Sequence, residues 1–171
     1  MAIKNNIQNL LSSHQMLSQK LETQKTNMRL RFLTRYLKGE AISEYYQLQD
    51  TFLNYEIDFR KGKYAVLIFT VTDFQEFSKP GAMNFNDDYN LCKFVISNVV
   101  SELISKKYYC IMHDIDDSLT CIVNFYDNPS DLQSQSELLE IYSSASNFIA
   151  DNFKIYFTMT AGKIKADFKS V

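Results

Sequence analysis

The residues best suited to chemistry gather in one short run, His113-Asp114-Ile115-Asp116-Asp117-Ser118, with three aspartates in four positions. Carboxylates so placed are what a hard divalent cation takes as ligands, and two such cations can drive an in-line displacement at phosphorus. The competing reading is a solvated turn, since Asp bonds its own backbone in turns. That reading is favoured: no metal is expected, and Asp114, Asp116 and Asp117 are the only candidates if one binds. No glycine in the run lets a phosphate approach the backbone. His113 and Asp114 are neighbours, so a strand points them to opposite faces and they form no acid–base pair. His14 and His113 are the only histidines, and no Ser/His/Asp or Cys/His triad assembles from them. Cys92, Cys110 and Cys121 have neither metal-ligand spacing nor a C-x-x-C motif. Their odd number and apolar surroundings predict buried thiols in a reduced, cytoplasmic setting.

Composition narrows the classes further. The chain has 171 residues, 18 basic and 20 acidic, for a net charge of -2. It therefore offers no basic stripe to a nucleic-acid backbone. Four glycines and two prolines leave no glycine-rich phosphate loop, and no cofactor is expected. No signal-peptide or membrane-spanning run is visible, so no membrane contact is expected.

The elements that must position these residues fall into two parts. Residues 1–52 read as a helical linker. Within it Ile7, Leu10, His14, Leu17, Leu21, Gln24 and Met28 alternate in steps of three and four, an a/d seam of about three heptads over residues 3–28. So narrow a stripe is unstable alone and predicts a parallel homodimeric coiled coil, with His14 and Gln24 fixing register. The alternative is a helix folded back on its own domain. From Met28 the apolar face widens through Leu30, Phe32, Leu33, Tyr36 and Leu37, which suggests packing on a globular body. Gly39 reads as a helix stop, and Ser43 caps a second helix from Glu44 to Leu53.

Residues 64–163 read as that body. Strands are expected at Tyr64–Thr72, Tyr108–Ile115, Leu119–Tyr126 and Lys154–Gly162, with helices at Tyr89–Lys106 and Leu132–Asn152. In the first of these helices Leu91, Phe94, Val95, Asn98, Val99, Glu102 and Leu103 fall near 3.6 spacing and define the expected stripe. The order β-α-β-β-α-β predicts an α+β, ferredoxin-like fold with both helices on one face of an antiparallel sheet. Period-2 counting places Cys110, Met112, Cys121, Val123 and Phe125 on one face, and Tyr109, Ile111, His113, Thr120, Ile122 and Asn124 on the other. Tyr64, Val66, Ile68, Ile111 and Ile122 would make an unusual exposed patch, so a cover is predicted over the second face: either the helices between Met28 and Leu53 or a partner.

A β-α-β-β-α-β body can serve as a nucleotide-cyclase palm, which needs metal-binding carboxylates at the end of the first strand and in the hairpin. At the strand end this chain has Thr70 and Thr72, with Asp73 one step out of phase and so expected on the other face. The stretches Met28–Gly39, Leu67–Phe74, Leu91–Leu103, Asp114–Val123 and Phe157–Gly162 together resemble the degenerate GGDEF-like domain of AraC-family regulators, notably the membrane-anchored regulators of Firmicutes. The likeness covers roughly residues 28 to 165. At the GGDEF position stands Ile115-Asp116-Asp117-Ser118-Leu119, so the resemblance implies a degenerate cyclase site at Thr70, Thr72, Asp73, Asp116 and Asp117, without catalysis. It also implies a larger parent with an extracytoplasmic sensor, a membrane anchor and a C-terminal helix-turn-helix pair that meets DNA. This chain would be the cytoplasmic middle of that parent, and residues 164–171 a truncated tail. The expected function is signal relay and dimerisation in transcription regulation. The alternative is a regulatory module that binds a nucleotide or other small molecule without turnover.

Overall fold

The computed structural model describes the backbone of residues 2–40, 52, 54–74 and 85–166, and their side chains except 2–14 and 85. The chain divides into two compact units, Met1–Asp58 and Phe59–Val171.

The first unit is built on helix α1, Ala2–Leu37. It contains no glycine or proline to interrupt it. It ends in a Schellman motif: Gly39 takes a left-handed φ of 73°, its N–H donates to the Tyr36 carbonyl, and the Glu40 N–H donates to that of Arg35. The last turns bury Phe32, Leu33 and Tyr36. Phe32 meets Tyr36, Phe52 edge-on and Tyr55. The Glu44–Leu53 helix expected from the sequence lies largely outside the described residues.

The second unit follows the order β1 (Lys63–Asp73), α2 (Phe85–Ser105), β2 (Tyr109–Ile115), β3 (Ser118–Phe125), α3 (Asp131–Phe153) and β4 (Tyr156–Ala161). The four strands form an antiparallel sheet in the order β2-β3-β1-β4, so β2 and β4 are its edges. The protein is thus an α+β structure, with three helices and one four-stranded antiparallel sheet among the described residues. Ser130 caps α3, its hydroxyl accepting from the Gln133 N–H at 3.2 Å. At Lys165, in the segment expected as a tail, the chain bridges Tyr64 by a reciprocal pair of 2.9 Å backbone bonds.

One side of the sheet and both helices share a single core. Ala65, Leu67 and Phe69 of β1 join Leu119, Cys121, Val123 and Phe125 of β3 and Phe157 of β4. From the helices come Cys92, Ile96, Val100 and Ile104, with Leu138, Ala145 and Ile149. The phase of α2 differs from expectation. Leu91 and Phe94 are exposed, Phe94 at 62%, and the buried ladder runs through Cys92 and every fourth residue after it. This helix carries apolar residues on most of its circumference, so period alone does not fix which stripe turns inward.

The second face is partly covered. Tyr64 and Ile122 are buried and Val66 and Ile111 half-buried, but Ile68 is 40% exposed. Part of the cover is the body's own first residues. The Phe59 ring packs edge-on against Tyr64 and Tyr109. Asn124, fully buried, accepts from the Arg60 N–H at 2.7 Å and donates to the carbonyls of Arg60 and Lys63. Gly62 fits beneath this crossing because a Cβ there would stand 2.4 Å from the Phe125 carbonyl oxygen.

Candidate functional site

The hairpin between β2 and β3 turns on Asp116 and Asp117, both left-handed with φ of 47° and 66°. That is the backbone of a two-residue hairpin turn, for which Asn-Gly is the usual solution. Aspartate tolerates this region better than most side chains, because its short carboxylate can bond locally. The aspartates therefore shape the turn. Among the described residues no three His, Cys, Asp or Glu side chains gather as metal ligands would.

Asp114 does something different. It lies on the helix-facing side of the edge strand and accepts from Lys93 Nζ of α2 at 2.7 Å. The Lys93 side chain is only 8% exposed, while Asp114 is about half-exposed. The ammonium also sits 5.5 Å from the Tyr89 ring centroid. An ammonium so enclosed needs such partners, because an unpaired buried charge would be costly. His113, one step along, points to the other face and is half-buried. Burial holds its imidazole below the ordinary value of 6.5, with Asp114 opposing the shift.

Around Lys93 two depressions adjoin at the hairpin end of the sheet. One, of about 440 Å³, is lined by Asn86, Tyr89, Asn90, Lys93 and Asp117. The other, of about 340 Å³, shares Asn90 and Lys93 and adds Phe94, Ser97, Met112, His113, Asp114 and Leu119. Nothing in the local sequence marks Lys93 as a site residue. Its burial arises from the register that sets Asp114 opposite Leu119 and from the helix phase, neither of which is readable locally.

The end of β1 behaves otherwise. Thr70, Thr72 and Asp73 are exposed and line neither depression. The ladder slips between Val71 and Asp73, so that Asp73 pairs with Tyr156 while Thr70 pairs with Thr158. Tyr156 and Thr158 are two steps apart on β4. Asp73 therefore shares a face with Thr70, against the expectation from strict alternation. The extra residue, Thr72, absorbs the step, as a β-bulge does. The structure thus brings Asp114 and Asp117 to the cleft, leaves Asp116 in the turn, and does not gather Thr70, Thr72 or Asp73 with them.

The seam of α1 is the second candidate. Leu17, Leu21 and Met28 are 59%, 51% and 54% exposed, and Gln24 is also exposed. The side chains of Ile7, Leu10 and His14 lie outside the described residues. Beside the seam, Lys25 Nζ donates to Glu56 at 2.6 Å, and Arg29 Nη1 approaches the Glu56 carbonyl at 3.5 Å. The pair raises the Lys25 pKa and lowers that of Glu56 through their hydrogen bond. The long helix is not apolar enough to cross a membrane, and neither is any other helix among the described residues. Comparison of the chain with family models, with curated proteins and with solved structures found no match.

Proposed function

We propose that this chain is a non-catalytic signal-relay and dimerisation module of a transcriptional regulator, working in the cytoplasm as the middle of a larger, membrane-anchored AraC-family protein. Its body is read as a degenerate nucleotide-cyclase palm of the ferredoxin-like, GGDEF-like kind. The β-α-β-β-α-β order and the sheet order β2-β3-β1-β4 support that reading. Threonines at the end of β1 and a glycine-free hairpin support the lack of catalysis, since two metals would need carboxylates converging there.

The observation that carries the relay reading is helix α1 itself. It is continuous from Ala2 to Leu37, exposes the seam positions Leu17, Leu21 and Met28, and then buries Phe32, Leu33 and Tyr36 within a few turns. A second copy laid parallel along the seam would cover the exposed stripe as a two-stranded coiled coil. Rotation or a shift of register in that pair would pass through an unbroken helix to the residues beyond it, and so to DNA-binding domains of the parent. Two packings close in free energy make such a device switchable. Sedimentation velocity over a range of concentrations tests this. The wild-type chain is expected as a dimer, and Leu17→Asn with Leu21→Asn as a folded monomer. A wild-type chain that stays monomeric at high concentration would remove the reading.

A second reading is favoured by the enclosed Lys93 ammonium between its two depressions: the cleft binds a small molecule or nucleotide without turning it over. Calorimetry with GTP, cyclic dinucleotides and Mg²⁺, on wild type and Lys93→Gln, separates the two. Heat lost in the variant supports binding in the cleft. Absence of heat in both leaves the relay reading alone.

A further inference from the structure

We propose that Cys110 and Cys121 form a modification site, a cross-strand dithiol that a hydroperoxide converts reversibly to a disulfide. The inference is independent of the relay reading. In the ladder Cys110 faces Val123 and Met112 faces Cys121, so the two cysteines are diagonal neighbours on the helix-facing side of adjacent strands. Their side chains therefore stand on one face, near enough for each thiol to bear on the acidity of the other. The two environments are unequal. Cys110 stands on the edge strand, half-buried, with Ser105 Oγ 3.7 Å from its sulfur. Cys121 is fully enclosed in the core on the central strand β3.

That inequality divides the labour. The neighbouring Cys121 thiol, helped by Ser105, holds the Cys110 thiol below its ordinary pKa despite burial. Burial pushes Cys121 well above it. The accessible, more acidic thiol is the one an oxidant meets as thiolate. Cys110 sulfur attacks the terminal peroxide oxygen. An S–O bond forms, the O–O bond breaks, and water or an alcohol leaves with the thiol proton. The Cys121 sulfur then attacks the Cys110 sulfenic sulfur. The S–S bond forms, the S–O bond breaks, and the hydroxyl leaves as water with the Cys121 proton. Two thiols are oxidised and one hydroperoxide is reduced.

Diagonal neighbours in an antiparallel pair have backbones farther apart than direct partners, roughly 7–8 Å. Closing the bond must draw β2 along β3, which makes the disulfide strained and easily reduced. It would pull on the same edge strand that carries Asp114 to Lys93. Cys92 is outside this chemistry: it is buried on α2, and burial pushes its thiol up to about 11.

The test treats the full chain with hydrogen peroxide and counts free thiols, followed by peptide mapping without reduction. The wild type is expected to lose two of its three thiols, with Cys110 linked to Cys121 in the same chain, and thioredoxin is expected to restore both. Cys92→Ala should form the same link, and Cys110→Ser should keep its remaining thiols at the same dose. The proposal is overturned if Cys110 ends as a sulfinic or sulfonic acid beside a free Cys121. It is equally overturned if the bond joins two chains, involves Cys92, or does not form.

Discussion

Helices α1 and α2 use apolar side chains in opposite ways. In α2, Cys92, Ile96, Val100 and Ile104 recur every four residues and all are buried against the sheet. In α1, Leu17, Leu21 and Met28 are also large and apolar and fall on one heptad stripe interrupted by Gln24, yet each is more than half exposed. Periodicity defines a face on a helix; it does not say whether the chain itself supplies the surface that meets it. The α2 face is satisfied inside the body. The α1 stripe leaves apolar area in water, and such area is what burial against a second surface would reward.

The sharpest test of this contrast is a truncation in each helix. Ile96→Ala should destabilise the body by about 2–5 kcal/mol, since it deletes a fully buried side chain and leaves a cavity. Urea unfolding followed by circular dichroism would read it, and a loss under about 1 kcal/mol would mean that α2 packs less tightly than described. Asn124→Ala comes next. It removes the acceptor of the Arg60 N–H and two donated bonds at a buried position, and about 2–3 kcal/mol is expected. The same unfolding curve checks it.

A smaller effect belongs to pH. His113 has a folded pKa depressed below 6.5, so the unfolded chain binds the proton more readily. Stability contributed by the neutral imidazole is present above 6.5 and falls as pH drops through the folded value. Glu137, held below its ordinary 4.5 by Lys107 and Tyr108, adds a second loss further into acid. Unfolding midpoints should therefore decline below neutrality in two stages, and His113→Gln should remove the first. A midpoint independent of pH between 7 and 5 would contradict the burial assigned to His113.

Leu21→Ser should shift the unfolding midpoint of the dilute chain by less than about 0.5 kcal/mol, as exposed positions do. A cost like that of Ile96→Ala would mean that Leu21 is already packed.

Much of the architecture was legible in the chain itself. Each strand edge of the body falls within two residues of the sequence expectation, because β-branched and aromatic runs end at turn residues such as Asp116-Asp117 and Asn128-Pro129. Gly39 and Ser130 mark helix ends for reasons local to a few residues. The period-2 faces of β1, β2 and β3 were legible too, whereas the phase of α2, the slip in β1 and the contacts between distant segments were not. The stripe that α2 buries was ambiguous because Leu91, Cys92, Phe94, Val95 and Ile96 offer more than one face. Asp73 was assigned by strict alternation, and the slip at Thr72 reversed it. At the candidate site, the hairpin turn could be read from its aspartates. The Lys93–Asp114 pair could not, since it joins a helix and a strand 21 residues apart. The placing of Cys110 diagonal to Cys121 depended likewise on the register of the ladder.

Binding of a second copy along the α1 stripe can be followed by hydrogen exchange measured as a function of protein concentration. Peptides covering residues 15–30 should gain protection as concentration rises, while peptides of β1 and β3 keep the same rates throughout. Unchanged exchange in residues 15–30 at every concentration, or a gain confined to the edge strand β2, would contradict it.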